Sequence, residues 1–435
     1  MRTVGSATLL AATLLAASAA LALQARAETL EGAWRVAAAR NQTLAAAAAD
    51  VQAARAGERA AGDARWPSIR AEASYTHLGQ APELQVVTPS LAFRSGPIFK
   101  DNQYVSGTVQ MRVPLYTGGA IRAGVAAARD GFAGATAAQR ATAEDVRLAV
   151  AQAYVAVLRS QRQLRVADAS VKSLAAHRHD VEAMFQRQTV AKSDLLAAEV
   201  ALANARSAKV DAENALAVSQ EEYNRLLGEP FDRVPHLDPV LPTLSIDDLP
   251  LQELVQRALA NRGELHALAA QASALVARAR VAGASRLPHL AALGGYTHFD
   301  NQILNRENFS SVGVGFTWKL FDGGAAANEA DALRARSRAD RHRLDDLRSR
   351  IELQVRADWL ALGAARERVN ASRAATAQAA ENLRISRQLY KAGLASNTQV
   401  LQAVTLRTQA LEDYNNAVLD AELDGLRLAY AVGAL

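Results

Sequence analysis

The feature that most constrains this chain is a change of period. Over most of its 435 residues the apolar positions recur at three- and four-residue spacing, the period of a helix, but in a few places they alternate strictly. In "SIRAEASYTH", Ser68 to His77, Ile69, Ala71, Ala73 and Tyr75 share one face and Arg70, Glu72, Ser74 and Thr76 the other. Val105, Val109, Met111 and Val113 alternate with Ser106, Thr108, Gln110 and Arg112. In "FSSVGVGFTWKL", Val312, Val314, Phe316, Trp318 and Leu320 lie opposite Ser311, Gly313, Gly315, Thr317 and Lys319. One apolar and one polar face over about ten residues is the pattern of a membrane-spanning β-strand whose polar face meets water. An edge hairpin of a soluble sandwich alternates as well. It needs a core, however, and the rest of the chain offers only long helices.

The strands come in two copies. Trp66-Pro67 aligns with Leu287-Pro288, and Tyr75-Thr76-His77 with Tyr296-Thr297-His298, at a shift of 221 residues. "LYTGG" at Leu115 aligns with "LFDGG" at Leu320 at a shift of 205, which persists through "EDVRLAVAQAYVAVL" and "SRIELQVRADWLALG". The first copy therefore carries a 16-residue insertion between its strands, around "GQAPELQVVTPSLAFRSGPIFKDNQ". Each copy reads helix, strand, loop, strand, long helix, turn, helix. The first spans 28–229, with its strand pair at about 68–115, and the second 251–435, with strands at about 289–321. Residues 230–250, which hold five of the eleven prolines, form the linker between them.

No proline interrupts the chain between Pro114 and Pro230 or after Pro288. Proline costs a helix interior about 3 kcal/mol, so these reaches permit long helices. The arms run from about Ile121 to Gln186 and from about Ala325 to Leu389, and each would reach roughly 100 Å. Their apolar residues are mostly alanine, with Leu, Val and Ile at mixed spacing, which suits close coiled-coil packing. Four strands cannot close a barrel, and an open edge in hydrocarbon leaves backbone groups unpaired at several kcal/mol each. The sheet must then be completed by other copies. Three chains of four strands make a twelve-stranded barrel, continued by a tube of twelve helices.

At the N-terminus, Arg2, an apolar run from Leu9 to Leu23 and Ala25-Arg26-Ala27 read as a secretory signal peptide, residues 1–27. The absence of cysteine excludes disulfides, thiolate metal sites and a lipid-modified N-terminal cysteine. The net charge of +5 is interspersed rather than gathered into a basic stripe with stacking aromatics, which argues against a nucleic-acid partner. His177 and His179, two apart, point to different helix faces and make no metal pair. "TGG" and "DGG" lack the spacing of a phosphate loop, and no nucleophile stands at a recognisable distance from a base, so no enzyme and no cofactor is expected.

With its tandem repeat, its "LYTGG" and "LFDGG" strand exits and the helix-turn-helix "YKAGLASNTQVLQA", the mature chain resembles the outer membrane efflux protein family along its whole length. The first copy has "FQRQTVAKSDLLAA" in the matching place. The resemblance implies a mixed α and β, TolC-like outer-membrane fold, with a trimeric β-barrel and a helical coiled-coil tunnel in the periplasm. It implies a homotrimer in outer-membrane lipid that docks a periplasmic adaptor (membrane fusion) protein and an inner-membrane pump of RND or ABC type. The adaptor-facing tips would be Thr189, Val190, Ala191, Lys192 and Ser193 in one hairpin and Gly393, Leu394, Ala395 and Ser396 in the other. At the pore constriction, Tyr390 and Asp194 fit the family's tyrosine and aspartate. The arginine position holds Ala395, and the two acidic positions hold Gln399 and Gln402. Asp194 is expected to meet Tyr390 or Lys391 across the hairpins. Val312, Val314, Phe316 and Trp318 would face lipid, and Tyr75, Tyr296, Trp318 and Phe321 would sit near its interfaces.

Gly393 supports the tip turn on its own, since glycine is the usual residue where a helix stops in a left-handed conformation. Ser396, Asn397 and Thr398 are good starters for the helix that follows. The other class these helices suit is a secreted coiled-coil scaffold or periplasmic adaptor. An adaptor would carry a lipoyl-like β domain flanking a single helical hairpin, which the repeat contradicts.

Overall fold

The computed structural model describes residues 27–99, 102–242, 249–301 and 304–435. The expected signal peptide lies outside the described residues except for Ala27. In chain order the elements are α1 (Leu30–Arg40), α2 (Gln42–Asp63), β1 (Ser68–His77), β2 (Glu83–Thr88), β3 (Leu91–Pro97) and β4 (Gln103–Tyr116). There follow α3 (Ala120–Gln186), α4 (Lys192–Leu227), α5 (Leu251–Asn261), α6 (Gly263–Ala284), β5 (His289–Phe299), β6 (Asn308–Thr317), α7 (Ala325–Lys391) and α8 (Asn397–Ala431). The two proline-free arms are helices of 67 residues each. Both start directly after a glycine pair in the left-handed region, Gly118-Gly119 (φ 61° and 87°) and Gly323-Gly324 (φ 68° and 86°). A side chain at Gly118 would come within 2.7 Å of the Leu287 Cβ. That backbone reversal, which β-carbons resist, is why both strand exits carry the same two glycines.

The chain divides into two units. One comprises residues 49–137 and 266–345 and holds all six strands found among the described residues. Its main sheet is antiparallel, in the order β1-β4-β5-β6. The insertion in the first copy forms a separate hairpin, β2–β3. A loop was expected there. The hairpin is anchored at its base by backbone bonds from Leu78 to Asn102 and from Ile98 to Pro82, and by the Phe99 ring stacked 4.3 Å from that of Tyr104. Beneath the sheet, Ser337 of α7 is buried and donates to the Ala272 carbonyl of α6 at 2.9 Å.

The other unit comprises residues 1–48, 138–265 and 346–435 and holds the larger core. Val146, Val150, Ala153, Tyr154 and Val157 recur along α3 at three- and four-residue spacing and meet Leu419, Leu423 and Leu426 of α8, with Tyr223 and Leu227 of α4. Leu30, Ala33 and Ala37 of α1 close one side, and Leu237 and Leu241 of the inter-repeat segment another. Buried alanines let the helix backbones approach closely, which an unbroken row of leucines would prevent. Arg262 is buried at the end of α8, with its guanidinium 4.6 Å from the centre of the Tyr430 ring. It donates to the carbonyls of Tyr430 and Ala431 and pairs with Glu264 at 2.7 Å. Carbonyls at a helix C-terminus have no partner within the helix, and this arginine supplies one.

The start of the described chain is tied in by tyrosines. The Tyr154 hydroxyl lies 2.7 Å from the carbonyls of both Glu28 and Asp238. Tyr223 donates to the Glu28 carboxylate at 3.0 Å, and Arg233 pairs with it at 2.6 Å. Burial pushes both phenols well above the ordinary tyrosine range, so they remain neutral donors. Tyr154→Phe keeps the ring packing and leaves the two carbonyls short of a donor. It should lower stability by about 1–2 kcal/mol, read as a lower denaturant midpoint. An unchanged midpoint would show that the hydroxyl contributes nothing net.

Candidate functional site

Two regions carry the expected functional residues: the main sheet and the helical tips. In the sheet, pairing sets the faces. β1 pairs β4 with Ile69 opposite Met111, Ala71 opposite Val109 and Tyr75 opposite Val105. β4 pairs β5 with Val109 opposite Tyr296 and Val113 opposite Ala292. β5 pairs β6 with Ala292 opposite Val314, Gly294 opposite Val312 and Leu290 opposite Phe316. Directly paired residues share a face, so Ile69, Tyr75, Val109, Met111, Tyr296, Val312, Val314 and Phe316 lie on one side. The face is bare, with Ile69 72%, Val312 94% and Val314 67% exposed. The opposite side carries Arg70, Glu72, Thr108, Gln110, Ser311 and Thr317, and on it the Ser74 and Ser106 hydroxyls meet at 2.8 Å.

Trp318 departs from the expectation. β6 ends at Thr317, so Trp318 is not part of the strand. Its indole instead donates to the Arg286 carbonyl at 3.1 Å, at the helix-side end of the sheet. That bond takes the ring out of the ladder's alternation. Both β1 and β6 are edges of this sheet, ten residues long and paired on one side only.

The tips sit in the larger unit. The α7–α8 turn closes with backbone bonds from Gly393 to Tyr390 and from Leu394 to Leu389, with Gly393 left-handed at φ 71°. The α3–α4 turn repeats this pattern 205 residues earlier, with bonds from Gln188 to Phe185 and from Thr189 to Met184. Gln188 is the one non-glycine residue with positive φ among those described, at 59°. The missing glycine of the first copy therefore changes no geometry. Gln188 adopts the strained conformation at about 1 kcal/mol. Thr189, Ala191, Lys192 and Ser193 are exposed, as are Gly393, Leu394 and Ser396, while Val190 and Ala395 are half-buried. Ser396 is the N-cap of α8. Its hydroxyl accepts from the Gln399 N–H while the Gln399 side chain accepts from the Ser396 N–H, so one of the two glutamines expected at the constriction serves as a helix cap. Gln402 is exposed.

Behind the turns, Leu174, Val181, Ala198, Leu202, Leu383, Tyr390, Val400 and Val404 pack the four helices together. Within this apolar core lies a polar chain that sequence reasoning missed. Asn397, 2% exposed, donates through Nδ2 to the Asp194 carbonyl at 3.0 Å. Its Oδ1 accepts from His177 Nε2 at 2.7 Å, and the His177 ring lies 5.4 Å from that of Tyr390. The Tyr390 hydroxyl is buried with no hydrogen-bond partner among the described residues. The expected contact from Asp194 to Lys391 is not made. Lys391 pairs with Asp180 at 3.0 Å, while Asp194 stays in the first turn of α4, where the helix N-terminus favours a carboxylate. Asp194 reaches Tyr390 only by its charge, which adds to burial in raising the phenol. His177, taken from the sequence only as half of a failed metal pair, is 3% exposed, and burial holds its imidazole below the ordinary range. Its long separation from Asn397 leaves no local signal that would have revealed the pair.

A family model described as outer membrane efflux protein matches residues 33–229 and 254–434. The outer membrane protein TolC of Vibrio cholerae serotype O1 is 26% identical over 304 residues, covering 68% of this chain and 69% of the relative. Among solved structures, the outer membrane protein VceC of Vibrio cholerae superposes with a TM-score of 0.78 at 19% identity, over 93% of this chain and 96% of that one. The Campylobacter jejuni CmeC outer membrane channel superposes with a TM-score of 0.79 at 15% identity, over 94% of this chain and 86% of that one.

The tip core carries a pH dependence of determinate sign. Burial lowers the His177 pKa, as do the charges of Arg387 and Lys391, against the Asn397 bond and Asp180. A histidine depressed in the folded state contributes full stability above its unfolded value of about 6.5 and loses it as pH falls toward the folded value. Hydrogen exchange of the turn amides around Gln188 and Gly393, corrected for intrinsic rates, should report less protection at pH 5.5 than at 7.5. His177→Gln should remove that difference. An equal response in both proteins would take His177 out of it.

Proposed function

Because the chain belongs to the outer membrane efflux protein family, an outer-membrane channel with a TolC-like fold and its helical domain in the periplasm, we propose that it works as a homotrimeric duct. It would pass substrates from an inner-membrane pump of RND or ABC type, through a periplasmic adaptor, to the outside. The observation that carries the reading is the four-stranded sheet itself. It has one bare apolar face and two unpaired ten-residue edges, β1 and β6. In hydrocarbon those edges need partners. Joining β6 of one chain to β1 of the next is a head-to-tail contact that closes after three copies, with twelve strands in the barrel range. The apolar face would meet lipid, and the polar face, with Arg70, Gln110 and Thr317, would line water.

In the same reading the two repeats, 28–229 and 251–435, each supply one strand pair and one helical hairpin. The exposed tips, Thr189 to Ser193 and Gly393 to Ser396, are the adaptor's landing place. Leu394 is 75% exposed at a turn whose backbone is rigidly bonded, which gives a partner an apolar contact at little ordering cost. Asp194, Gln399 and Gln402 lie on the same hairpin ends and would form the constriction, with Tyr390 packed in the core behind them. With glutamine at two of these positions, its charge is lower than a ring of carboxylates would give.

The mature protein in detergent should have the mass of three chains by light scattering. A stable folded monomer would contradict the duct. Leu394→Glu should leave that trimer intact and abolish export in cells. Export at the normal level would remove this turn from the adaptor contact.

A further inference from the structure

Resting on the outer-membrane reading, we propose that the helix-side rim of the sheet binds the phosphate headgroups of anionic phospholipids in the inner leaflet. The chain passes between helix and strand four times in this unit: at Arg65–Pro67 before β1, after β4 at 117–119, at 286–288 before β5 and after β6 at 318–324. Three of these passages set an exposed cation beside an exposed apolar residue. Arg65 precedes Trp66, Arg286 precedes Leu287 and Lys319 follows Trp318; the two tryptophans are 66% and 51% exposed. Arg65 and Arg286 hold the same place in the two copies, 221 residues apart, each followed by a bulky apolar residue and a proline. Neither they nor Lys319 has an ion-pair partner among the described residues. Arg65 gives its Nε to the Gly62 carbonyl at 2.9 Å, and the Trp318 indole fixes its ring to the backbone of Arg286.

The acids at these passages do not balance the three cations or pair with them. Both carboxylate oxygens of Asp322 are occupied as a helix cap, by the Gly324 and Ala326 N–H groups at 2.9 and 3.2 Å. Capping leaves Asp322 its charge, so with Asp63, two residues before Arg65, two carboxylates stand against three cations. At the loop end of the same strands the balance differs, since Asp300 and Glu307 stand with Arg306. Guanidinium groups bind phosphate through two parallel hydrogen bonds. Tryptophan settles where hydrocarbon meets headgroup. Tyr116, Leu320 and Phe321 are exposed on the same rim and would enter the hydrocarbon beside it. Because the helices are periplasmic, this end of the strands faces the inner leaflet, where the phospholipids are.

The test uses the assembled mature protein in neutral detergent, with native mass spectrometry counting the lipids it retains. Phosphatidylglycerol should be held over phosphatidylcholine by roughly tenfold or more, given about fivefold per cation near an anionic surface, and the preference should fall in high salt. The Arg65→Gln, Arg286→Gln, Lys319→Gln triple variant should lose it, and the charge-conserving Arg65→Lys, Arg286→Lys, Lys319→Arg variant should keep it. Equal retention of the two lipids by the unaltered protein overturns the proposal, even if the triple variant does not assemble. So does a preference that survives the glutamines, or stronger retention of lipopolysaccharide through the same residues. Failure of the unaltered protein to assemble would count against the channel reading instead.

Discussion

The structure depends on one constraint: a backbone N–H or C=O in hydrocarbon must be bonded to another backbone group, because no water is there to replace it. Within one chain, β4 and β5 satisfy this on both sides, while β1 and β6 satisfy it on one. Everything particular about the strands follows from it. Those of the main sheet are ten to fourteen residues long, alternate most clearly in β1 and β6, and carry Val312 and Ile69 bare on a face where a soluble sheet would bury them. Such a sheet is an aggregation hazard in water. It becomes a stable object only when its edges meet other edges and its apolar face meets lipid.

The helical part solves a different problem, how to build long walls without a thick core. Alanine dominates the contact faces, and Leu, Val and Tyr enter where the helices converge, around Tyr154 and Leu423 and again behind the tips around Val181 and Val400. Ion pairs on the helix surfaces, such as Arg350 with Asp346 and Arg384 with Glu381, are exposed and contribute little to stability individually. The buried polar contacts are fewer and more specific. Arg262 covers the end of α8, and the chain from His177 through Asn397 to Asp194 ties one hairpin tip to the other. Apolar packing alone would not set the register of the two tips, whereas a buried side-chain bond permits one arrangement.

Much of this was legible in the sequence because it is periodic or local. Alternation gave the sheet faces, and pairing placed Val312, Val314 and Phe316 together as expected. Glycine pairs marked where strands give way to helices, and Gly393 marked the tip turn. What escaped was set by tertiary context. Gln188 takes a glycine's conformation because the helices on either side of it are fixed by packing. Trp318 looked like the next step of the strand until its indole found the Arg286 carbonyl. His177 and Asn397 meet across 220 residues, and neither sits in a pattern that announces a partner. The β2–β3 hairpin lies in an insertion with no counterpart in the other copy against which to compare it.

If β1 of one chain pairs with β6 of another, engineered cysteines will report it in a protein that has none of its own. A panel would join a cysteine at Ala71 or Ala73 in β1 with one at Val312 or Val314 in β6, all on the same face. Within a chain these strands stand three strand spacings apart, roughly 14 Å, beyond the reach of a disulfide. Between chains, the pair in register should close on mild oxidation. Pairing between chains should give covalent dimers and trimers on denaturing gels for at least one pair in the panel, and for no variant carrying a single cysteine in either strand. Monomers alone across the whole panel, from protein extracted out of the outer membrane, would contradict it.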